Sequence, residues 1–347
     1  MLTLSCQRTS VAKAERSFRM GFENSAPKLD YSLYQQSLTQ WMTRADAAII
    51  ASQVPWDSLL SGESAATYVL DNFLGLANLY RSNHFTLWVY IDPENGLNRT
   101  ADADELVAMG KSIAQANIQQ VYRNYVRVMD SILRPDHLGL AMETNLIRAA
   151  APDSIYQGVR QASNGAAQDM LAFDPRVKLS ISVQVETAWG VLGASGPYQG
   201  IDQDFTDFPF MQEVGLSSYP YFSYGSPQDI PSNYYARLVQ GRSFPVFVTE
   251  GGWTSQTLTG FSGQAISSSE AVQASYISRQ RILLQQAQAT AVFQLTFTDI
   301  ELSSLSAQTA ASLKYFAWLG LVDTTLQPKA ALNTWDSVFS ISLQSGN

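Results

Sequence analysis

The sequence has a single cysteine, Cys6, and only two histidines, His84 and His137. One cysteine excludes an internal disulfide and a cysteine zinc site. No apolar run approaches the roughly 18 residues of a membrane span. The chain has no basic cluster, and its 30 acidic against 22 basic residues leave a net charge of −8. That balance argues against nucleic acid or an anionic membrane surface as partner. There is no phosphate-binding glycine loop, no Ser–His–Asp arrangement and no histidine metal cluster, so no metal and no cofactor are expected. The opening Met1-Leu-Thr-Leu-Ser-Cys6 resembles the end of a lipoprotein signal but lacks its charged region and apolar stretch. Residues 1–15 read as a flexible tail before one catalytic domain, 16–347, with secretion or cell-envelope attachment left open. Asn98-Arg-Thr100 is a glycosylation sequon of the kind that arises by chance.

What the chain does have is alternation. A hydrophobic fraction of 46% is ample for a large core. Eight strand-like runs begin near Phe18, Ala47, Phe85, Leu138, Val177, Val214, Pro245 and Ala291. Helical periodicity fills the intervals, including a long predicted helix over 103–133 stopped by Pro135. No break in composition marks a linker. Eight strand–helix pairs point to one α/β domain, a single (β/α)8 barrel. Right-handed crossovers then put every strand's C-terminal end on one rim.

In the first strand Phe18, Met20 and Phe22 share a face, and in the fifth Leu179, Ile181, Val183 and Val185 do. Small or polar residues occupy the opposite faces. Glu23, Glu143, Glu186 and Tyr219 stand at the rim ends of these runs, and Glu250 ends Pro245-Val-Phe-Val-Thr-Glu250. In that stretch Val246, Val248 and Glu250 alternate onto one face, and Gly251-Gly252 allow a sharp turn before Trp253. Carboxylates at the C-terminal ends of barrel strands read as chemistry. Two of them facing each other among aromatics are the equipment for glycoside hydrolysis. Trp56, Trp88, Trp189, Tyr219, Tyr221 and Trp253 are candidate sugar-stacking rings, and Asp299, Glu23, Glu186 and Arg19 candidate hydroxyl-binding groups. The two histidines precede their strands and so belong to the opposite rim, where a structural role is expected.

At this point three segments resemble the clan GH-A glycoside hydrolases. Leu138-Gly-Leu-Ala-Met-Glu-Thr-Asn145 is similar to the strand-four motif, Gly215-Leu-Ser-Ser-Tyr-Pro-Tyr221 to the strand-six segment, and Phe247-Val-Thr-Glu-Gly-Gly-Trp253 to the strand-seven motif. The ending Gly320-Leu-Val-Asp323 through Trp335 is similar to the last turn of several members, among them endo-β-1,4-galactanases. The resemblance implies a (β/α)8 barrel cleaving a β-linked carbohydrate with retention. Glu250 would be the nucleophile and Glu143 the acid/base, their carboxyl groups about 5 Å apart. Tyr219 would hold Glu250 ionised.

The chain departs from the clan pattern in three places. Met142 stands where most members have Asn. Strand two, ending Gln53-Val-Pro-Trp56, supplies no arginine near the nucleophile, leaving Arg19 to serve. Strand eight lacks its platform tryptophan, leaving Phe297 or Trp253. A catalytically inactive barrel that keeps a carbohydrate-binding cleft is the alternative.

Overall fold

A computed structural model of the chain describes residues 15–192, 196–261 and 263–344. The predicted tail lies mostly outside the described residues. Its last residue, Glu15, does not: Glu15–Arg16 pair in parallel with Ser342–Leu343, tying the two ends of the described chain together. Arg16 is buried there, its Nε donating to the Ile341 carbonyl at 2.9 Å.

Eight parallel strands form the body of the molecule. They are β1 (Arg19–Phe22), β2 (Ala47–Gln53), β3 (Thr86–Asp92), β4 (His137–Gly139), β5 (Lys178–Gln184), β6 (Glu213–Ser218), β7 (Val246–Gly251) and β8 (Ala291–Gln294). Each pairs with its sequence neighbour from β2 to β8, and β8 pairs with β1. The Asp46 amide donates to the Met20 carbonyl at 2.9 Å and Glu23 bridges Ile49, which brings β1 beside β2. The sheet is thus a (β/α)8 barrel.

The helices form the outer layer because their apolar stripes match the outward strand faces. In the helix Ala116–Leu133, Ile118, Tyr122, Tyr125, Val126, Met129 and Leu133 are buried at helical spacing. It ends at Arg134 in the left-handed conformation, just before Pro135. The predicted helix over 103–133 is in fact two, Asp104–Ala108 and Ala116–Leu133. Ser269 caps Glu270–Ala287 by accepting from the Val272 amide. Among the described residues, no helix is long and apolar enough to cross a membrane.

Inside the barrel, Ala47, Ile49, Trp88, Tyr90, Phe247, Ala291 and Phe293 pack into a separate small core. Trp88 stacks on His137 with ring centroids 3.8 Å apart, and His137 Nδ1 bonds Glu213 at 2.8 Å, so that histidine is structural. Tyr90 spans the interior to meet Ser180 Oγ at 2.8 Å. A Cβ on Gly139 would lie 2.3 Å from the Tyr90 ring, so that glycine makes room for the tyrosine. Gly139→Ala is expected to cost about 1–3 kcal/mol by overpacking, read as a lower urea midpoint with an unchanged slope.

Candidate active site

The upper end of the barrel opens into a cavity of about 760 Å³, within the roughly 300–1,000 Å³ of small-molecule sites. Glu23, Gln53, Asp92, Arg99, Glu143, Tyr219 and Glu250 line its polar part.

Glu250 reaches this cavity through an irregularity. Val246 and Val248 pack outward, against the helical layer, while Phe247 belongs to the interior core. Simple alternation would therefore send Glu250 outward as well. Leu216 pairs with Val248, however, and Ser217 with Glu250, so β7 carries one extra residue against β6. This bulge reverses the phase and aims Glu250 inward. Beyond it the backbone turns at Gly251 and Gly252, at φ of 156° and 154°. A Cβ on Gly251 would strike the Ser218 carbonyl at 2.3 Å.

Glu143 is placed differently. Strand β4 ends at Gly139, and Glu143 sits in the left-handed conformation, φ 49°, at the start of helix Thr144–Ala150. Its amide donates to Ser182 Oγ at 3.0 Å. Met142 does not share an outward face with Leu138 and Leu140, as alternation predicts; it turns into the interior core and the cavity wall.

Ser217 Oγ lies 2.6 Å from Glu143 Oε1 and 2.8 Å from Glu250 Oε1. Those two carboxylate oxygens are thus no farther apart than the sum of the two distances. That limit falls with the roughly 5–5.5 Å of retaining glycosidases rather than the 6.5–9.5 Å of inverting ones. One hydroxyl has one proton, so two short bonds need a second proton on the pair. Burial and the Glu143 charge push the Glu250 carboxyl up to about 7, against hydrogen bonds from Ser217 and Tyr219 and the Arg99 charge, which favour ionisation. Tyr219 bonds Glu250 and favours its charged form, while burial and the like charge act in the opposite direction. Glu23, half-buried on the same wall, is pushed up to about 8 by burial and the Glu250 charge.

The cation of the site is Arg99. Its Nε donates to Glu143 Oε2 at 2.9 Å and its second guanidinium nitrogen to Asp92 Oδ2 at 2.7 Å. Arg19 cannot serve, because it begins β1 and lies beside Thr86, His137 and Lys178 at the opposite rim.

Most of the other proposed binding residues lie outside the cavity. Trp88 is in the barrel core. Trp56 is fully buried, donating to the Pro93 carbonyl, and Trp253 is buried against Tyr276. Trp189 stacks on Tyr234, and Tyr221 donates its hydroxyl to the Tyr315 carbonyl. Phe297 is buried against Phe22, so it is no platform either. Apart from Trp88, these rings fill space between barrel and helices. Glu186 is not on a strand at all but in the helical turn Val185–Ala188. It accepts from the Tyr234 hydroxyl at 2.6 Å and the Tyr219 amide at 3.0 Å, and burial pushes its carboxyl up to about 7. It therefore braces Tyr219 from behind. Asp299 is neutralised by Lys329 at 2.7 Å, away from the cavity. Of the expected set, Glu23, Glu143, Tyr219 and Glu250 meet at one site.

Sequence reading missed Asp92, Ser217 and Arg99. Ser217 shared the inward phase of Gly215 and Tyr219, and Asp92 that of Trp88 and Tyr90, so both carried a signal. Arg99 lies in an irregular loop and carried none.

No family model matches the chain, and no curated protein does. Solved structures do. The exo-β-1,4-mannosidase Op5Man5 from Opitutaceae bacterium strain TAV5 superposes with a TM-score of 0.66 at 14% identity, covering 93% of this chain and 59% of its own. The chain thus spans about three fifths of that mannosidase. GH5_18 from Bifidobacterium longum subsp. longum ATCC 55813 gives 0.62 at 13%, covering 94% and 81%. A β-glucosidase from Thermotoga maritima gives 0.62 at 11%, covering 96% and 100%. What this likeness shows is the fold, the (β/α)8 barrel that these glycosidases share.

Proposed function

We propose that this chain is a retaining glycosidase acting on a β-linked sugar. The observation that carries the reading is the Glu143–Ser217–Glu250 bridge on the floor of a rim cavity in this barrel. Glu250 attacks the anomeric carbon as the bond to the leaving oxygen breaks, and Glu143 gives that oxygen its proton. Water then attacks the glycosyl-enzyme, with Glu143 as base. The attacking form of the pair holds one proton, on Glu143. Ser217 lies on the path by which that proton reaches Glu143 from Glu250, donating its own as it accepts another.

The pair's last proton is lost near pH 7, the value to which Glu250 is pushed up. Below that pH the one-proton form exists; above it the donor is gone. kcat/KM should accordingly fall as pH rises through about 7. The test is a panel of aryl β-glycosides, with NMR of the first-formed anomer. Release of the α-anomer first would defeat the retaining mechanism.

A sugar-binding barrel without turnover is the second reading, favoured by Arg99 holding Glu143 and by Met142 at the family's amide position. Binding of sugars with no hydrolysis across the panel would establish it.

A further inference from the structure

The cavity is built in two unlike halves. Its floor and the β1–β4 side carry Glu23, Gln53, Asp92, Arg99 and Glu143. The loops after β5 to β8 raise an apolar wall instead: Leu192, Phe222, Phe261, Tyr315 and Phe316, continued by Leu146 beside Glu143. Phe261 packs on Tyr315 with centroids 4.1 Å apart, and Phe222 on Phe261 at 4.6 Å, both tilted by 40°. Phe316 stands edge-on to Phe222 at 83°. The rings lean on one another and form a curved greasy patch, not the single flat face on which a sugar ring stacks. Phe261 keeps 52% of its surface exposed at the mouth. A second sugar placed there would lose water from its hydroxyls to phenyl rings that cannot replace the hydrogen bonds. A hydrocarbon group would bury the wall at no such cost.

Accepting that the sugar sits over Glu143 and Glu250, we propose that the leaving group is apolar. The substrate class is an amphiphilic β-glycoside, with an alkyl, aryl or similar hydrocarbon aglycone lying on the Phe222–Phe261–Phe316 wall, and not an extended glycan.

The test uses methyl, butyl and octyl β-glucosides and β-mannosides below their micelle-forming concentrations. Binding is measured by calorimetry to Glu250→Gln, with Glu143→Gln as a second inactive background. Affinity should rise roughly two- to fourfold per methylene over the first several carbons in at least one sugar series. Phe261→Asp, added to either background, changes an exposed side chain and should shrink the octyl-to-methyl ratio. Equal affinity for methyl and octyl glycosides, tighter binding of a disaccharide, a ratio untouched by Phe261→Asp, or no binding at all would overturn the proposal. Turnover of the same compounds by the unaltered chain is scored separately. Chain-length-dependent binding without cleavage would leave the apolar wall standing and remove the hydrolase.

Discussion

Glu250→Ala should abolish turnover on every substrate, by about 10⁴-fold or more, on the order of 5 kcal/mol in the barrier. The proposed reaction needs a nucleophile, and no other carboxylate takes its place. Glu23 is the next acid on that wall, but burial, the larger cause of its rise, still holds its carboxyl above the ordinary range once the Glu250 charge is gone. Glu143→Ala should fail differently. An alkyl glycoside, whose leaving oxygen needs a proton, should lose about 10²–10⁴-fold. A nitrophenyl glycoside, whose leaving group departs unprotonated, should still form the glycosyl-enzyme and then stall. Azide in the space left by Glu143 should rescue it and give a β-glycosyl azide. Rescue of the Glu250 variant with a β-glycosyl azide instead would exchange the two roles, whereas an α-azide from it is direct displacement in the nucleophile's place and keeps them. Equal losses without rescue would remove both assignments. The comparison is informative here because Ser217 and Arg99 tie the two acids into one network.

The barrel was legible because its strands are patterned twice over. Phe18, Met20 and Phe22, or Leu179, Ile181 and Val183, face the helices while small and polar residues face inward. Period-two alternation reports that directly. The same rule fails where the backbone stops being regular, and the catalytic candidates sit there. Glu143 follows a strand only three residues long and owes its aim to a left-handed backbone. Glu250 follows a bulge that reverses the phase its sequence pattern implies. Its inward aim could be expected from the family motif but not from Val246 and Val248.

The tryptophans misled for a related reason. A ring near a strand end is equally suited to the cavity and to the seam between barrel and helix, and composition does not distinguish the two. Trp56, Trp88 and Trp253 went to the packing, while the cavity took its aromatics from loops, at Phe222, Phe261 and Phe316. Loops have no periodicity to read, and Arg99 was invisible on the same ground.

Arg99→Met should destabilise the fold by about 3–5 kcal/mol, the usual loss when one partner of a buried ionic group is removed. Asp92 and Arg99 are both nearly inaccessible, so water cannot replace the guanidinium. Even with Arg99 in place, burial raises the Asp92 carboxyl above its ordinary value, with Arg99 working against that rise. Without the cation the folded-state value climbs further above the unfolded one. The folded form then binds a proton that the unfolded chain has released, so the added instability grows as pH rises through that window. The variant should therefore lose more stability at pH 8 than at pH 5. Urea titrations of both proteins at the two pH values measure the difference. Asp92→Asn in the Arg99→Met background should restore part of it by removing one orphaned charge, and more at pH 8. High salt should change little, since buried pairs are poorly screened. A loss under about 1 kcal/mol, equal at both pH values, would mean that the guanidinium does not hold these carboxylates in the folded protein. Glu143 would then be free of Arg99, and the observation favouring a barrel without turnover would lose its force.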